Sequence, residues 1–154
     1  MLNCNWHPDY TGDRDKATFT TDLVLQSVWD RRKEFPHGGT LEDVAQFLGR
    51  GHGWGGFMAA QVVADLKYAA PWREVSDWWT FARSGPGSRR GMAIVAGQPA
   101  SNETEWKNWL EVLRRKFNDQ WVFSDRLHAQ DMQNVLCEYS KYCRGNSRSK
   151  FNGN

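Results

Sequence analysis

Five glycines fall within eight residues in the run Gly49-Arg50-Gly51-His52-Gly53-Trp54-Gly55-Gly56. A backbone this free of side chains cannot continue a helix, so the chain must turn sharply here. Helical patterns flank the turn. Before it, Thr40-Leu-Glu-Asp43 has the form of a capping box and opens a short helix through Leu48. After it, Phe57 to Tyr68 reads as a clear helix, stopped by Pro71. Elsewhere, Leu23, Val24, Val28 and Phe35 recur at helical spacing over Thr20–Glu34. A short helix is expected from Ser88 to Gly97-Gln98-Pro99, a long one from Glu103 to Phe117, and a last one from Ser124 to Tyr142. Strand alternation is absent from the whole sequence. The expected class is all-α, a single domain over 1–154, with an irregular arm at 1–17 and a flexible basic tail at 143–154.

The glycine run leaves backbone amides bare at the start of a helix, where the helix dipole also favours negative charge. Gly51, Gly53, Trp54 and Gly55 are therefore candidates for gripping a DNA phosphate in a helix–hairpin–helix arrangement. Other phosphate loops fit less well. A Walker loop ends in Gly-Lys-Ser/Thr, whereas Gly56 is followed by Phe57-Met58, and a dinucleotide fingerprint needs a preceding strand. An ordinary glycine-rich helix turn is the alternative reading.

The chain has 154 residues, 40% hydrophobic and 25% charged, enough to bury a core without disulfide or metal staples. Net charge is only +2, so any nucleic-acid contact must come from local patches. Three cysteines (Cys4, Cys137, Cys143) without paired spacing point to a reducing, cytoplasmic setting. No apolar run is long enough to span a membrane, and no apolar stretch opens the chain as a secretory signal would. Nine tryptophans exceed what a core of this size needs, and their flat faces suit stacking on bases.

Three further groups carry candidate chemistry. Asp77 lies past Pro71, next to Trp78 and Trp79, where a carboxylate can stabilise a cationic sugar or activate water. It equally suits a helix N-cap. Asp131, Asn134 and Glu138 follow i, i+3, i+7 spacing and share a helix face, able to line a base pocket or simply to face solvent. His128, Met132, Val135, Leu136, Tyr139 and Tyr142 are expected largely on the other side. Arg89 and Arg90, in Arg83-Ser-Gly-Pro-Gly-Ser-Arg-Arg-Gly91, are the best anion-binding pair, with Ser88 placed to cap the helix.

Taken together, Gly55–Tyr68, Asp77-Trp-Trp-Thr80, Gly85-Pro-Gly-Ser-Arg-Arg-Gly91 and Leu127–Asn134 through Cys137–Tyr142 resemble the α-glutamyl/putrescinyl thymine pyrophosphorylase family. The resemblance implies a DNA-glycosylase-like helical fold and work on hypermodified pyrimidines of phage DNA. It places Asp77 on the family's Asp-Trp-Trp block, Arg89 and Arg90 on its Ser-Arg-Arg-Gly block, and Gln130, Asp131 and Asn134 on its Gln-Asp-x-Gln-Asn block. In helix–hairpin–helix glycosylases, which the segment also resembles, a catalytic Asp follows the hairpin at about the distance of Asp77. Phe57 stands where bifunctional members carry a Lys nucleophile, so lyase chemistry is not expected.

The resulting expectation is a monofunctional DNA glycosylase that flips out and excises a hydroxymethyl-derived, glucosylated or otherwise modified pyrimidine, in defence against phages. Asp77 would be catalytic, with Trp78, Trp79, Gln130, Asp131, Asn134 and Glu138 around the base. Few residues precede the hairpin, which favours excision over the first alternative, a transferase adding an amino acid or amine to a phosphorylated 5-hydroxymethylpyrimidine. A non-catalytic DNA-binding module is the second alternative. Modified phage DNA is the expected partner of a monomeric chain that needs no metal and no cofactor.

Overall fold

Residues 15–120 and 126–145 are described by a computed structural model, in which the chain divides into two compact units, residues 1–75 and 76–154. The described residues hold helices and turns and no strand, so the all-α class is observed.

In the first unit Asp15 caps α1 (Lys16–Phe19), its carboxylate accepting from the amides of Ala17 and Thr18 at 3.1 and 3.2 Å. The last residues of the expected irregular arm are thus helical; residues 1–14 lie outside the described residues. The chain then widens into a π-helical stretch, Thr20–Leu25, before α2 (Gln26–Trp29) and a 3-10 turn, Arg32–Glu34. A plain helix over Thr20–Glu34 is not what forms. The physical reason is competition for carbonyls: Thr20 Oγ1 donates to Lys16 O (2.8 Å) and Thr21 Oγ1 to Ala17 O (3.1 Å). Further along, Val24 O accepts from Ser27 Oγ (2.7 Å) and from the indole of Trp54 (2.9 Å). Side-chain donors thereby compete with the backbone amides for these acceptors.

Thr40 and Asp43 form the capping box expected of them, Thr40 N–H donating to the Asp43 carboxylate (2.8 Å) and Asp43 N–H to Thr40 Oγ1 (3.1 Å). They start α3 (Leu41–Gly49), which buries Leu41, Val44, Ala45, Phe47 and Leu48. Across the glycine turn, α4 (Gly56–Leu66) presents Ala59, Ala60 and Val63, side chains small enough for the two helices to pack closely. Gly53 sits at φ +75°, a conformation that a side chain would strain. Lys67, just past the last turn of α4, is fully buried, which its position in the sequence does not reveal. A second 3-10 turn follows at Trp72–Glu74.

The second unit is built from α5 (Pro86–Ala96), α6 (Glu103–Gln120) and α7 (Ala129–Cys143) around Ala82, Met92, Trp106, Leu110, Ala129, Met132 and Leu136. Two starts differ from expectation. Helix α5 begins at Pro86, whose missing N–H costs nothing in the first turn, and Ser88 lies inside it rather than capping it. The Ser88 hydroxyl accepts from Gly85 N–H (2.9 Å) and donates to Gly85 O (3.1 Å). Helix α7 begins at Ala129, not Ser124, which lies outside the described residues; residues 126–128 are non-helical. His128 is its cap: Asp131 N–H donates to Nδ1 (3.3 Å) and His128 N–H to the Asp131 carboxylate (3.0 Å). Of the expected tail, Cys143 ends α7 and residues 146–154 lie outside the described residues.

Helices α5 and α7 approach backbone to backbone. A Cβ on Gly91 would overlap the carbonyl oxygen of Leu136, and one on Gly87 would overlap Sγ of Cys137. The Gly-Ser-Arg-Arg-Gly block is thus a packing device, with buried Ser88 between its glycines. Gly91→Ala is expected to destabilise the fold by about 1–3 kcal/mol, because the obstructing atom is backbone and cannot rotate away. Gly38→Ala, where a Cβ meets nothing within 4 Å, serves as the control and leaves the denaturant midpoint nearly unchanged. Chemical denaturation of the two variants checks the contrast.

Candidate functional site

Asp77-Trp78-Trp79 forms a tight turn, the Asp77 carbonyl accepting from Thr80 N–H (3.1 Å) and Phe81 N–H (2.7 Å). The turn is fastened to the start of α7: Ala129 N–H donates to Trp79 O at 2.9 Å. Trp78 packs edge-on against both Trp79 (centroids 4.8 Å apart) and the His128 ring (5.1 Å). The Asp-Trp-Trp block and the first turn of α7, with His128, Gln130 and Asp131, therefore form one continuous cluster within the second unit. Trp79 keeps 47% of its surface exposed, a flat apolar face at the edge of a polar helix start.

The rest of the polar stripe divides. Gln130 is buried and donates from its amide to Gln133 Oε1 (2.9 Å); its own Oε1 is buried without a hydrogen-bond partner among the described residues. Asp131 is engaged with His128, while Asn134 and Glu138 are exposed, Glu138 pairing with Lys141. The opposite face is not the expected one. Met132 and Leu136 are buried as read, but Val135, Tyr139 and Tyr142 are exposed, and Gln133 and Ser140 take their place inside. Helix α7 meets α5 through Leu136 and Cys137, whose carbonyl oxygen and Sγ lie against Gly91 and Gly87.

Arg89 and Arg90 also separate. Arg89 Nε donates to Ser84 Oγ (2.7 Å) and Nη2 to Glu103 Oε2 (3.0 Å), while Ser84 donates to Glu103 from its amide (2.8 Å) and from its hydroxyl. Partial burial raises the pKa of Glu103, but the Ser84 and Arg89 hydrogen bonds outweigh it and hold the group below the usual carboxylate range. This network ties the start of α5 to the start of α6. Arg90 is exposed.

In the first unit, Gly51 and Trp54 pack onto α2. A Cβ on Gly51 would lie 2.8 Å from Trp54 Cδ1 and 2.9 Å from Val28 Cγ2. Gly55 caps α4 with open space around it, and the next residues, Gly56 and Phe57, are exposed. Of the hairpin residues proposed for DNA, Gly55 stands at an open helix start and Gly51 and Trp54 are spent on packing. Sequence reading passed over Ser84 and Glu103, whose partnership spans 19 residues, and Gln133. An acid at the start of α6 and a serine before Gly-Pro were the available signals. Among the described residues no group of three or more His, Cys, Asp or Glu is placed to hold a metal, and no helix is long and apolar enough to cross a membrane.

By fold, then, the chain is of the all-α class, with the candidate residues Gly55, Arg89, Gln130 and Asp131 at helix starts. It belongs to the family described as 5-hmdU DNA kinase, helical domain, whose model matches residues 11–151. No curated protein and no solved structure matches it. The family is tied by name to a modified pyrimidine, 5-hydroxymethyldeoxyuridine, in DNA and to a DNA-modifying enzyme. That is the ground it shares with the pyrophosphorylase resemblance; the pyrophosphorylase family itself is not the one matched, and the match does not support base excision.

Removing the Glu103 carboxylate is expected to lower stability most at neutral pH. A carboxyl held below its ordinary pKa stabilises the fold above the ordinary value and loses that contribution as pH falls through the lower folded value. The gap in melting temperature between wild type and Glu103→Gln should therefore shrink on acidification. Arg89→Ala should lower the melting temperature and Arg90→Ala should not; thermal melts of the three variants across pH check both points.

Proposed function

We propose that this chain is the DNA-engaging helical part of an enzyme that transfers a group, in the first instance a phosphoryl group, to the hydroxymethyl oxygen of 5-hydroxymethylpyrimidine in DNA. The match of the family model along nearly the whole chain carries the reading. Among the expectations from sequence, it favours transfer to a hydroxymethylpyrimidine over glycosidic cleavage. In the transfer, the new bond joins the hydroxymethyl oxygen to the phosphorus of a nucleoside triphosphate, the bond from that phosphorus to the diphosphate breaks, and the hydroxyl proton leaves to a base.

The cluster at Asp77, Trp78, Trp79 and the start of α7 supports the acceptor side of this reading. Trp79 offers an exposed stacking face for an extruded base. Asp77 is the acid of that cluster proposed to take the proton. Asn134, an exposed amide side chain on α7, is of the type that reads base edges, and exposed Arg90 is proposed to meet the backbone phosphate. The glycine turn lacks the Lys-Ser/Thr end of a phosphate-donor loop, so no donor role is proposed for it.

The test uses oligonucleotides that differ at one position, thymidine or 5-hydroxymethyldeoxyuridine, incubated with the protein with and without ATP and Mg²⁺. Expected are tighter binding of the hydroxymethyl DNA and weakening of that binding by about tenfold in Trp79→Ala, as loss of one base–aromatic stack implies. A phosphoryl mass gain on the DNA that disappears in Asp77→Asn would place transfer on this chain. Equal binding of the two DNAs overturns the proposed recognition, and release of free base with an abasic site replaces it with excision.

A further inference from the structure

The first unit contains an open cavity of about 630 Å³. One wall is Leu25 at the end of the π-helical stretch, Trp29 at the end of α2 and Arg32 at the start of the 3-10 turn that follows. The other wall is Phe35, Phe47 and Trp54. The volume lies within the range of small-ligand sites, and the lining is dominated by aromatic rings.

The rings are held in place. Phe35 meets Phe47 edge-on at 5.4 Å and Trp72 at 5.9 Å, while the Trp54 indole is anchored to Val24 O. Trp29 is different, with 60% of its surface exposed in the wall of the cavity. Arg32 Cζ lies 4.6 Å from the centroid of that indole and Arg32 Nη1 donates to Trp29 O (3.0 Å), which fixes a cation against the ring. Arg31 sits 5.0 Å over the Phe47 ring. No acidic residue lines the cavity. The nearby acids are engaged: Asp30 accepts from Gln26 (2.6 Å), and Glu34 lies 3.7 Å from Arg31.

Aromatic faces beside the Arg32 guanidinium, with no carboxylate in the lining, match an unpaired nucleobase with its attached phosphate. The base stacks and the phosphate meets the cation. A purely apolar peptide would leave Arg32 uncompensated at the wall. We infer that this cavity, lined by Trp29 and Arg32, is a second DNA site that holds an unstacked base of a single strand. Stacking on ring faces, which every base can do, makes it tolerant of base identity. The π-helical stretch is the local irregularity that shapes its helical wall, a feature often found at functional sites. The inference rests on the reading that the chain acts on DNA.

The test is photo-cross-linking of a single-stranded oligonucleotide carrying 5-iodouracil to the full-length protein, with mapping of the cross-linked peptide, alongside affinity measurements. The expected cross-link falls on Trp29 or Trp54. Trp29→Ala is expected to weaken single-strand binding about tenfold or more, Trp29→Phe to weaken it less, and Arg32→Ala to reduce the dependence of affinity on salt. Because Trp29 is mostly exposed, Trp29→Ala should fold, which its melting curve checks. Cross-links confined to Trp78 or Trp79, with Trp29→Ala binding like wild type, overturn the second site and leave the acceptor-site reading standing. Failure to bind any DNA, single- or double-stranded, removes both.

Discussion

Helices α5 and α7 of the second unit can meet only because Gly91 has no side chain where the Leu136 carbonyl comes closest. Much of that unit follows from the contact. On α7, Leu136 and Met132 are buried together with Gln133 and Ser140, while Val135, Tyr139 and Tyr142 are exposed. The same seating sets the start of α5, where Ser88 closes on Gly85 and Arg89 reaches Glu103. It leaves Arg90, the next residue round the helix, exposed. Two adjacent arginines of the same sequence block thus have different physical roles, one joining helices and one facing solvent.

The first unit is organised by competition for carbonyl oxygens. Threonine hydroxyls take Lys16 O and Ala17 O, and the Trp54 indole takes Val24 O from across the hairpin. Indole N–H groups need a partner when they are covered, and here the partner is a backbone acceptor of the neighbouring helix. The hairpin is consequently tied down through Trp54 and Gly51, and only its far end, from Gly55, is left open. A helix start with bare amides still favours an anion there, but the glycine-rich stretch before it is largely occupied with packing.

Membership of the 5-hmdU DNA kinase helical-domain family changes the role proposed for the Asp-Trp-Trp cluster. Cleavage of a glycosidic bond and transfer to a hydroxymethyl oxygen can both use a stacking surface for the pyrimidine and a carboxylate. They differ in which atom that carboxylate must reach. The same residues therefore look alike for both chemistries in sequence, and the resemblance pointed correctly to modified pyrimidines in DNA without deciding the reaction.

What the sequence alone determined lies among contacts that close within three or four residues, though not all of those: the Thr20–Lys16 bond and the His128–Asp131 box are as local and were not legible. The Thr40–Asp43 box, the glycine turn between α3 and α4, the end of α5 at Gly97 and the all-helical class were all legible, because each depends on neighbouring backbone groups. Tertiary structure decided the rest. The Arg89–Glu103 pair spans 14 residues and the Trp54–Val24 bond 30, and no periodicity encodes such partners. Even the start of α7 shows the division. A polar stripe at Asp131, Asn134 and Glu138 is visible from spacing, but Trp79 O taking Ala129 N–H and Trp78 packing on His128 are what join that stripe to Asp77. Local hydrogen bonds are written into adjacent residues, whereas the choice of which buried face meets which depends on volume and shape across the assembled unit.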